Sequence, residues 1–334
     1  MRALGAMMPR PHLSKLAERA RTEPALPAAV VFPVDRDSLQ LALSGAFAGY
    51  VAPMLFGPEQ RIRDAAIRAG LDISRLPLVD TPDEPRAASQ RAVLAARDGA
   101  ASALIRGSLS VEDLLAPVVA ANSGLRTGRR LCHATFLDLP GLARPLLVAD
   151  AMLNVVPNLA AKRDIVACTV LLAQALGIAA PNVALLAAKG TVAPAFPSTS
   201  EAAALKSMAL QGAFPGAIVD GPMTPDVALS AEAARTHGTK SAVAGHADVL
   251  VGPSMEAATM VVRTLTGVTG GLAAGIVLGA RVPIVLPQQH DAMDARIASC
   301  VLARLVAFAG ANAPRAGTAT PAPRAALSGT PVEA

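Results

Sequence analysis

The chain has 334 residues, 52% of them hydrophobic, enough to bury a large core and too many for one domain of ordinary size. Only 2% are aromatic, with no Trp and the single Tyr50, so base-stacking platforms are all but excluded and the core must be built from Ala, Val, Leu and Ile. The net charge is +5, and Arg supplies all but five of the basic residues. That excess is too mild for a duplex-binding face and suits anionic small molecules, although a genome bias towards Arg and Ala explains the composition equally well.

At the N-terminus, "MRALGAMMPRPHLSK" has an apolar run too short for a secretory signal. Short β-branched runs then alternate with Ala/Leu/Arg segments, which predicts a mostly parallel α/β sheet. The runs fall at 29–34, 52–57, 76–80, 102–107, 131–139, 145–150, 182–188, 216–221, 248–252, 273–279 and 282–287. The most apolar segment, "GGLAAGIVLGARVPIVL", is interrupted by Gly, Arg281 and Pro283 and reads as two buried strands rather than a membrane span. A helix from Asn158 to Leu176 opens on an Asn cap, aligns Ile165, Cys168 and Leu172, and stops at Gly177. A second runs from Met293 through Ile297, Cys300, Val301 and Leu305 to Phe308. Cys132, Cys168 and Cys300 are odd in number and far apart, so no disulfide framework or metal spacing emerges and a reducing cytoplasm is expected. After Ala309 the chain turns Pro-, Ala- and Gly-rich and is expected to be disordered.

Metal-ligand clusters, a Walker loop and a nucleophile elbow are missing from the sequence, and the four glycines of "GVTGGLAAG" have the spacing of tight packing, not of a dinucleotide loop. Anion cradles are better represented. "LIRGSLSVEDLL" carries Arg106, Ser108 and Ser110 into a helix start, where ordinary capping competes with phosphate binding. "FPSTSEAAALKS" offers another start at Ser198 to Ser200, with capping favoured. The loop "GLRTGRR" groups Arg126, Arg129 and Arg130, as a phosphate fork or a solvated cluster. Asp138, Asp150, Asp220 and Asp248 stand at strand ends, where ligands gather in open α/β sheets but where turn-forming Asp is common too. His133, inside an apolar strand, reads as a core or wall residue.

Taken together, "LLVADAMLNVVPNLAAKRDIVACTVLLAQALGIAAPNVALLAA", "IVDGPMTPDVALSAEAA", "AVAGHADVLVGPSMEAA" and "AAGIVLGARVPIVL" resemble the second domain of the phosphate acetyl/butyryltransferase family. Upstream, "VVFPVDRDSLQLALSGAFAGYVAPMLFGP", "IRGSLSVEDLL" and "SGLRTGRRLCHATFLDLP" are similar to its first. The likeness covers roughly residues 25–310 and is strongest to the phosphotransacetylase-like half of bifunctional proteins that also carry an enoyl-CoA hydratase, a half expected to be missing here.

The resemblance implies a two-domain α/β fold like the isocitrate and isopropylmalate dehydrogenases, with mostly parallel sheets and an interdomain cleft. It implies a first domain of residues 12–147 plus 298–310, a second of 148–297, and a Pro/Ala-rich tail of 311–334. It further implies a cytoplasmic homodimer that transfers an acyl group between coenzyme A and phosphate, with coenzyme A as substrate, no cofactor, no metal, no nucleic acid and no membrane. Where relatives carry a Ser-Arg pair after the penultimate strand, this chain has Gln288-Gln289, followed by Asp291 and Asp294; a gapless count puts Ala295 at the family's catalytic Asp. Their Gly-Asn is Ala258-Thr259, their Lys is Arg263, and a helical Arg is Ala116. Asp291 or Asp294 is then expected as thiol base and Gln288 with Gln289 as replacement hydrogen-bond donors. Arg106, Ser108, Ser110, Arg130, Asp150, Asn154, Thr259 and Arg263 are expected on the substrates. The alternative is a catalytically impaired homologue that serves as an acyl-CoA-binding or protein-interaction module. A metal-dependent decarboxylating dehydrogenase is disfavoured, because no acid cluster has metal spacing.

Overall fold

A computed structural model describes residues 10–312. The start of the N-terminal segment and residues 313–334 of the expected tail lie outside it. Eleven strands form one sheet: β1 (Leu26–Val31), β2 (Val51–Gly57), β3 (Leu78–Asp80), β4 (Ala103–Arg106), β5 (Cys132–Asp138), β6 (Leu146–Ala149), β7 (Asn182–Leu186), β8 (Ile218–Met223), β9 (Val249–Val251), β10 (Leu272–Leu278) and β11 (Ile284–Val285). Each falls within or beside a β-branched run of the sequence. Their order across the sheet is β3-β2-β1-β4-β11-β10-β5-β6-β9-β7-β8.

Both flanks of the sheet are parallel, as strands joined by crossover helices must be. The middle is not. β10 runs antiparallel to β11 and β5, and β5 antiparallel to β6. The apolar segment read as two strands is thus a hairpin at the centre of the molecule.

The two helices legible in the sequence form where expected. Asn158 accepts a hydrogen bond from the Ala161 N–H at 2.9 Å to start Leu159–Ala175, and Gly177, at φ +96°, ends the run by donating to the Gln174 carbonyl. The last helix, Met293–Asn312, packs on β10, on the helices Pro11–Arg21 and Arg36–Phe47 of the first half, and on Leu159–Ala175 of the second.

The two faces of the sheet differ. On one, a single hydrophobic core runs the whole width, from Leu16 and Leu55 through Phe136 and Ile276 to Leu185 and Leu205. On the other the core is split. One cluster, with Val31, Leu104, Leu114 and Val277, covers the β1–β4 end. The other, with Leu137, Val148, Leu186 and Leu250, covers the β6–β9 end. His133, Thr135 and Gly275 belong to neither and make the floor between them. Side chains alternate along a strand, so this division follows from β5 and β10 themselves: Cys132, Ala134 and Phe136 enter the continuous core while His133 and Thr135 face the other way.

Candidate active site

Two loops meet above that floor. The first follows β6 and is organised by Asp150. Its carboxylate accepts the main-chain N–H groups of Met152 and Leu153, both at 2.9 Å, the N–H of His133 at 3.1 Å and the side-chain amide of Asn154 at 2.6 Å. Every lone-pair direction of the buried acid is occupied. Asp150 therefore builds the loop. The Asn154 amide also reaches the Leu131 carbonyl at 3.0 Å, and the Thr259 hydroxyl donates to the Ala151 carbonyl at 2.9 Å, which ties the helix Met255–Thr269 to the same loop. Arg263, one turn on, is exposed, and its guanidinium has no hydrogen-bond partner among the described residues.

The second loop follows β11. The Gln288 side-chain amide donates to the Leu286 carbonyl at 3.1 Å and lies 3.6 Å from the Met152 sulfur, so the two loops touch through these residues. Asp291 accepts the Gln288 N–H at 2.7 Å, closing the loop on itself instead of capping the helix. Gln289 is exposed. Asp294 is elsewhere: it pairs with Arg10 at 3.3 Å on the continuous-core side, in a cavity it shares with Tyr50 and Val301. Of the two acids expected as bases, only Asp291 belongs to this site.

Arg106 comes to the loop from the end of β4. One terminal nitrogen donates to the Pro287 carbonyl, and its buried Nε has no hydrogen-bond partner among the described residues. Burial lowers the guanidinium pKa, Asp291 pulls it back up, and Arg296 pushes the same way as burial. Ser108 belongs to a neighbouring network. Its Oγ accepts the Val34 N–H at 3.2 Å and lies 3.4 Å from the Ser38 hydroxyl. Burial favours the neutral form of Asp35, yet hydrogen bonds from Ser38 and Ser108 and the charge of Arg296 outweigh it and hold the carboxyl below the usual range. Two backbone features make this approach fit. Phe32 adopts φ +55°, rare for a bulky residue, and Gly107 lies so close that a Cβ there would stand 2.4 Å from the Val31 carbonyl oxygen. Ser110 takes the competing role foreseen for it: it caps Val111–Val119 by accepting the Asp113 N–H at 3.0 Å and donating to the Asp113 carboxylate at 2.7 Å.

One participant was not identified from the sequence, and another was read there only as a core or wall residue. Arg296 is buried among the core residues of the last helix and donates to the carbonyls of Asp291, Gln288 and Gln289 and to the Asp37 carboxylate, at 3.0–3.2 Å. Its only sequence signal is a charge within an apolar stripe. His133 was assigned to a wall, and it is one, lying so flat on β10 that a Cβ on Gly275 would stand 2.3 Å from its Nε2. Burial depresses its pKa against the opposing pull of Asp150 and Asp291. The second anion loop, with Arg130, is adjacent: the Arg126, Arg129 and Arg130 side chains line a cavity with Leu153 and Asn154. Among the described residues, no group of three or more His, Cys, Asp or Glu side chains is placed to hold a metal.

Comparison with known proteins places the chain in a family. A family model described as "Phosphate acetyl/butaryl transferase" matches residues 84–303. The chain is 43% identical over 293 residues to a phosphate acetyltransferase of Rhizobium meliloti, covering 88% of this chain and 92% of the relative. It is 33% identical over 279 residues to a phosphate butyryltransferase of Clostridium acetobutylicum, covering 84% and 92%. The fold matches the crystal structure of a phosphotransacetylase from Streptococcus pyogenes with a TM-score of 0.75 at 19% identity, over 90% of this chain and 99% of that one. The chain belongs to the phosphate acetyl/butyryltransferase family.

Proposed function

We propose that the protein transfers an acyl group between coenzyme A and phosphate, in the cleft bounded by the loops after β6 and β11. The observation that carries the reading is the convergence of Arg106 and Asp291 on the Gln288 loop in a chain 43% identical to a phosphate acetyltransferase. In the acyl phosphate direction the thiol of coenzyme A loses its proton, sulfur bonds to the acyl carbon, and the carbon–oxygen bond to phosphate breaks. Asp291 is the proton acceptor. Arg106, with a buried and unpaired Nε, is the phosphate contact. The Gln288 and Gln289 amides serve the developing oxyanion, and one such donor is worth on the order of 3 kcal/mol. Coenzyme A is a substrate, and no cofactor enters the reaction.

The reading includes two moving units, residues 12–147 with 298–310 and residues 148–297, supported by the split core on the cleft face. It also includes a homodimer formed through the helix Met255–Thr269, supported by exposed Met260 and Val268 on that helix and exposed Val155 and Val156 nearby. A reducing cytoplasm is supported by three free, buried cysteines. No described helix is long and apolar enough to cross a membrane.

The test is phosphate release from acetyl and butyryl phosphate on addition of coenzyme A, or arsenolysis of the acyl-CoA. Turnover well above that of the Gln288→Ala/Gln289→Ala double variant and of Asp291→Asn is expected. If turnover matches those variants while coenzyme A still binds, the chain is an acyl-CoA-binding module instead.

A further inference from the structure

A cavity of about 550 Å³ lies between the helix Pro11–Arg21 and the last helix, over the continuous core and so on the sheet face away from the cleft. The sequence accounts for its floor. Leu13 and Ala17 stand four apart on the first helix, and Ile297, Ala298 and Val301 share one face of the last, so both helices turn carbon towards the space. Ala17 and Ala298 are too short to close the gap between them.

The two ends of the cavity differ in charge. At one, Arg10 is neutralised by Asp294, 3.3 Å away. At the other, the Arg21 guanidinium lies 5.2 Å over the ring of Tyr50, an arrangement that leaves its N–H groups available. Tyr50 is 4% exposed and fixed through its main chain: its N–H donates to the Gly45 carbonyl at 3.0 Å, its carbonyl accepts the Leu26 N–H at 3.1 Å, and Arg304 grips the preceding Gly49 carbonyl. Among the described residues neither the Tyr50 hydroxyl nor the Arg21 guanidinium has a hydrogen-bond or ion-pair partner, and both residues line the cavity.

One uncompensated cation beside one free hydroxyl suits a single anionic group, and a second anion at the far end would meet Asp294. Between the ends the lining is aliphatic. From Asp294 to Val301 it runs about 10 Å along the last helix, the reach of roughly eight carbons. We propose that the cavity is a regulatory site for a straight-chain monocarboxylate, with its carboxylate on Arg21 and the Tyr50 hydroxyl and its alkyl chain along Leu13, Ala17, Ile297 and Val301. The site meets the reaction centre through one helix: Asp294 and Ile297 line the cavity, and Arg296, between them, holds the 287–291 loop. An acid of the acyl class handled by the proposed transferase thus has a place from which to bear on that loop. Binding needs no transferase; regulation does, and rests on that reading.

The chain has no Trp and Tyr50 is its only Tyr, so tyrosine emission reports on this cavity without interference. Titration of the full-length protein with butanoate, hexanoate and octanoate, read by emission and by calorimetry, is expected to show binding that tightens about tenfold for each pair of added methylenes. Arg21→Gln, at an exposed position outside the core, is expected to weaken octanoate at least about tenfold, and octanol to bind the wild type at least that much more weakly than octanoate. Saturating octanoate is expected to change coenzyme A-dependent phosphate release about fivefold in the wild type, and the same concentration to leave Arg21→Gln unmoved. Affinity that ignores chain length, or that Arg21→Gln leaves intact, overturns the site. So does binding seen by calorimetry without a change in Tyr50 emission, which puts the carboxylate elsewhere. No binding at any length overturns it too, and leaves the cavity to another part of the chain, such as residues 1–9 ahead of Arg10, or to a second copy. Octanoate that binds as expected while turnover stays unchanged overturns the regulatory role. A protein that binds octanoate through Arg21 but releases no phosphate loses the transferase reading and keeps the site.

Discussion

Arg296 donates to the carbonyl oxygen of Gln288 at 3.2 Å, so a buried cation on the last helix holds from behind the loop that Arg106 touches from the front. The shape of the 287–291 loop is set by these two arginines and by Asp291, and little by the glutamine side chains.

Replacing Arg296 by Met removes its hydrogen bonds to three carbonyls and to Asp37. Each buried acceptor left unpaired costs on the order of 1–3 kcal/mol. Urea unfolding is expected to show a loss of about 3 kcal/mol at unchanged m, whereas Asp37→Asn, at the exposed end of the pair, costs under about 1 kcal/mol. Equal losses in the two variants would place the energy in the ion pair instead.

Asp150→Asn keeps the size of the side chain but turns one acceptor into a donor. The new amide must face either the Met152 and Leu153 N–H groups or the His133 N–H and Asn154 amide. A loss of about 2 kcal/mol is expected, with increased protease sensitivity at 150–154. A variant as stable as the wild type would show that Asp150 does not organise the loop.

Gly275→Ala drives a methyl group into the His133 ring, at a cost of roughly 1–3 kcal/mol. Removing the ring relieves the clash. The Gly275→Ala/His133→Ala double variant is therefore expected to be less destabilised than the sum of the single variants by about 1 kcal/mol or more, and strict additivity in chemical unfolding would refute the contact.

His133 should also be visible in the pH dependence of stability. Burial sets its folded pKa below the unfolded value of about 6.5. As pH falls, the unfolded chain takes up the proton first. Its contribution is thus complete above about pH 6.5 and is lost from there down through the folded pKa. Unfolding midpoints measured between pH 7 and pH 5 should decline less steeply in His133→Gln than in the wild type.

Ser110→Ala separates capping from phosphate binding. A lost N-cap costs about 1 kcal/mol of stability, and KM for acyl phosphate is expected to hold. A tenfold rise in KM would return Ser110 to the substrate.

Strand positions were legible because a strand buried on both faces must be apolar along its whole length, which is why "VPIVLP" and "AAGIVLG" stand out without any knowledge of their neighbours. Their direction was not. Nothing local to Val277 tells it to pair antiparallel with Ile284 in a sheet whose flanks are parallel. The resemblance drew attention to Gln288, yet its contact with Met152 spans 136 positions of sequence. Asp150 read as a strand-end acid near a ligand. Three of its four partners are main-chain N–H groups, which no sequence displays, so its role in shaping the loop emerged only from the fold. Ser110 was ambiguous for a real reason: the same hydroxyl at a helix start serves a phosphate or its own backbone.

The sheet resembles the spine of a book. One core is glued along its full width on the side of Phe136 and Ile276, while the other side is bound as two separate covers. Any swing of the covers must bend the spine at β10, β5 and β6, where Gly275 leaves His133 its place. A ligand reaching from Arg106 to Asn154 would lie across the gap between the covers, on the face opposite the glue.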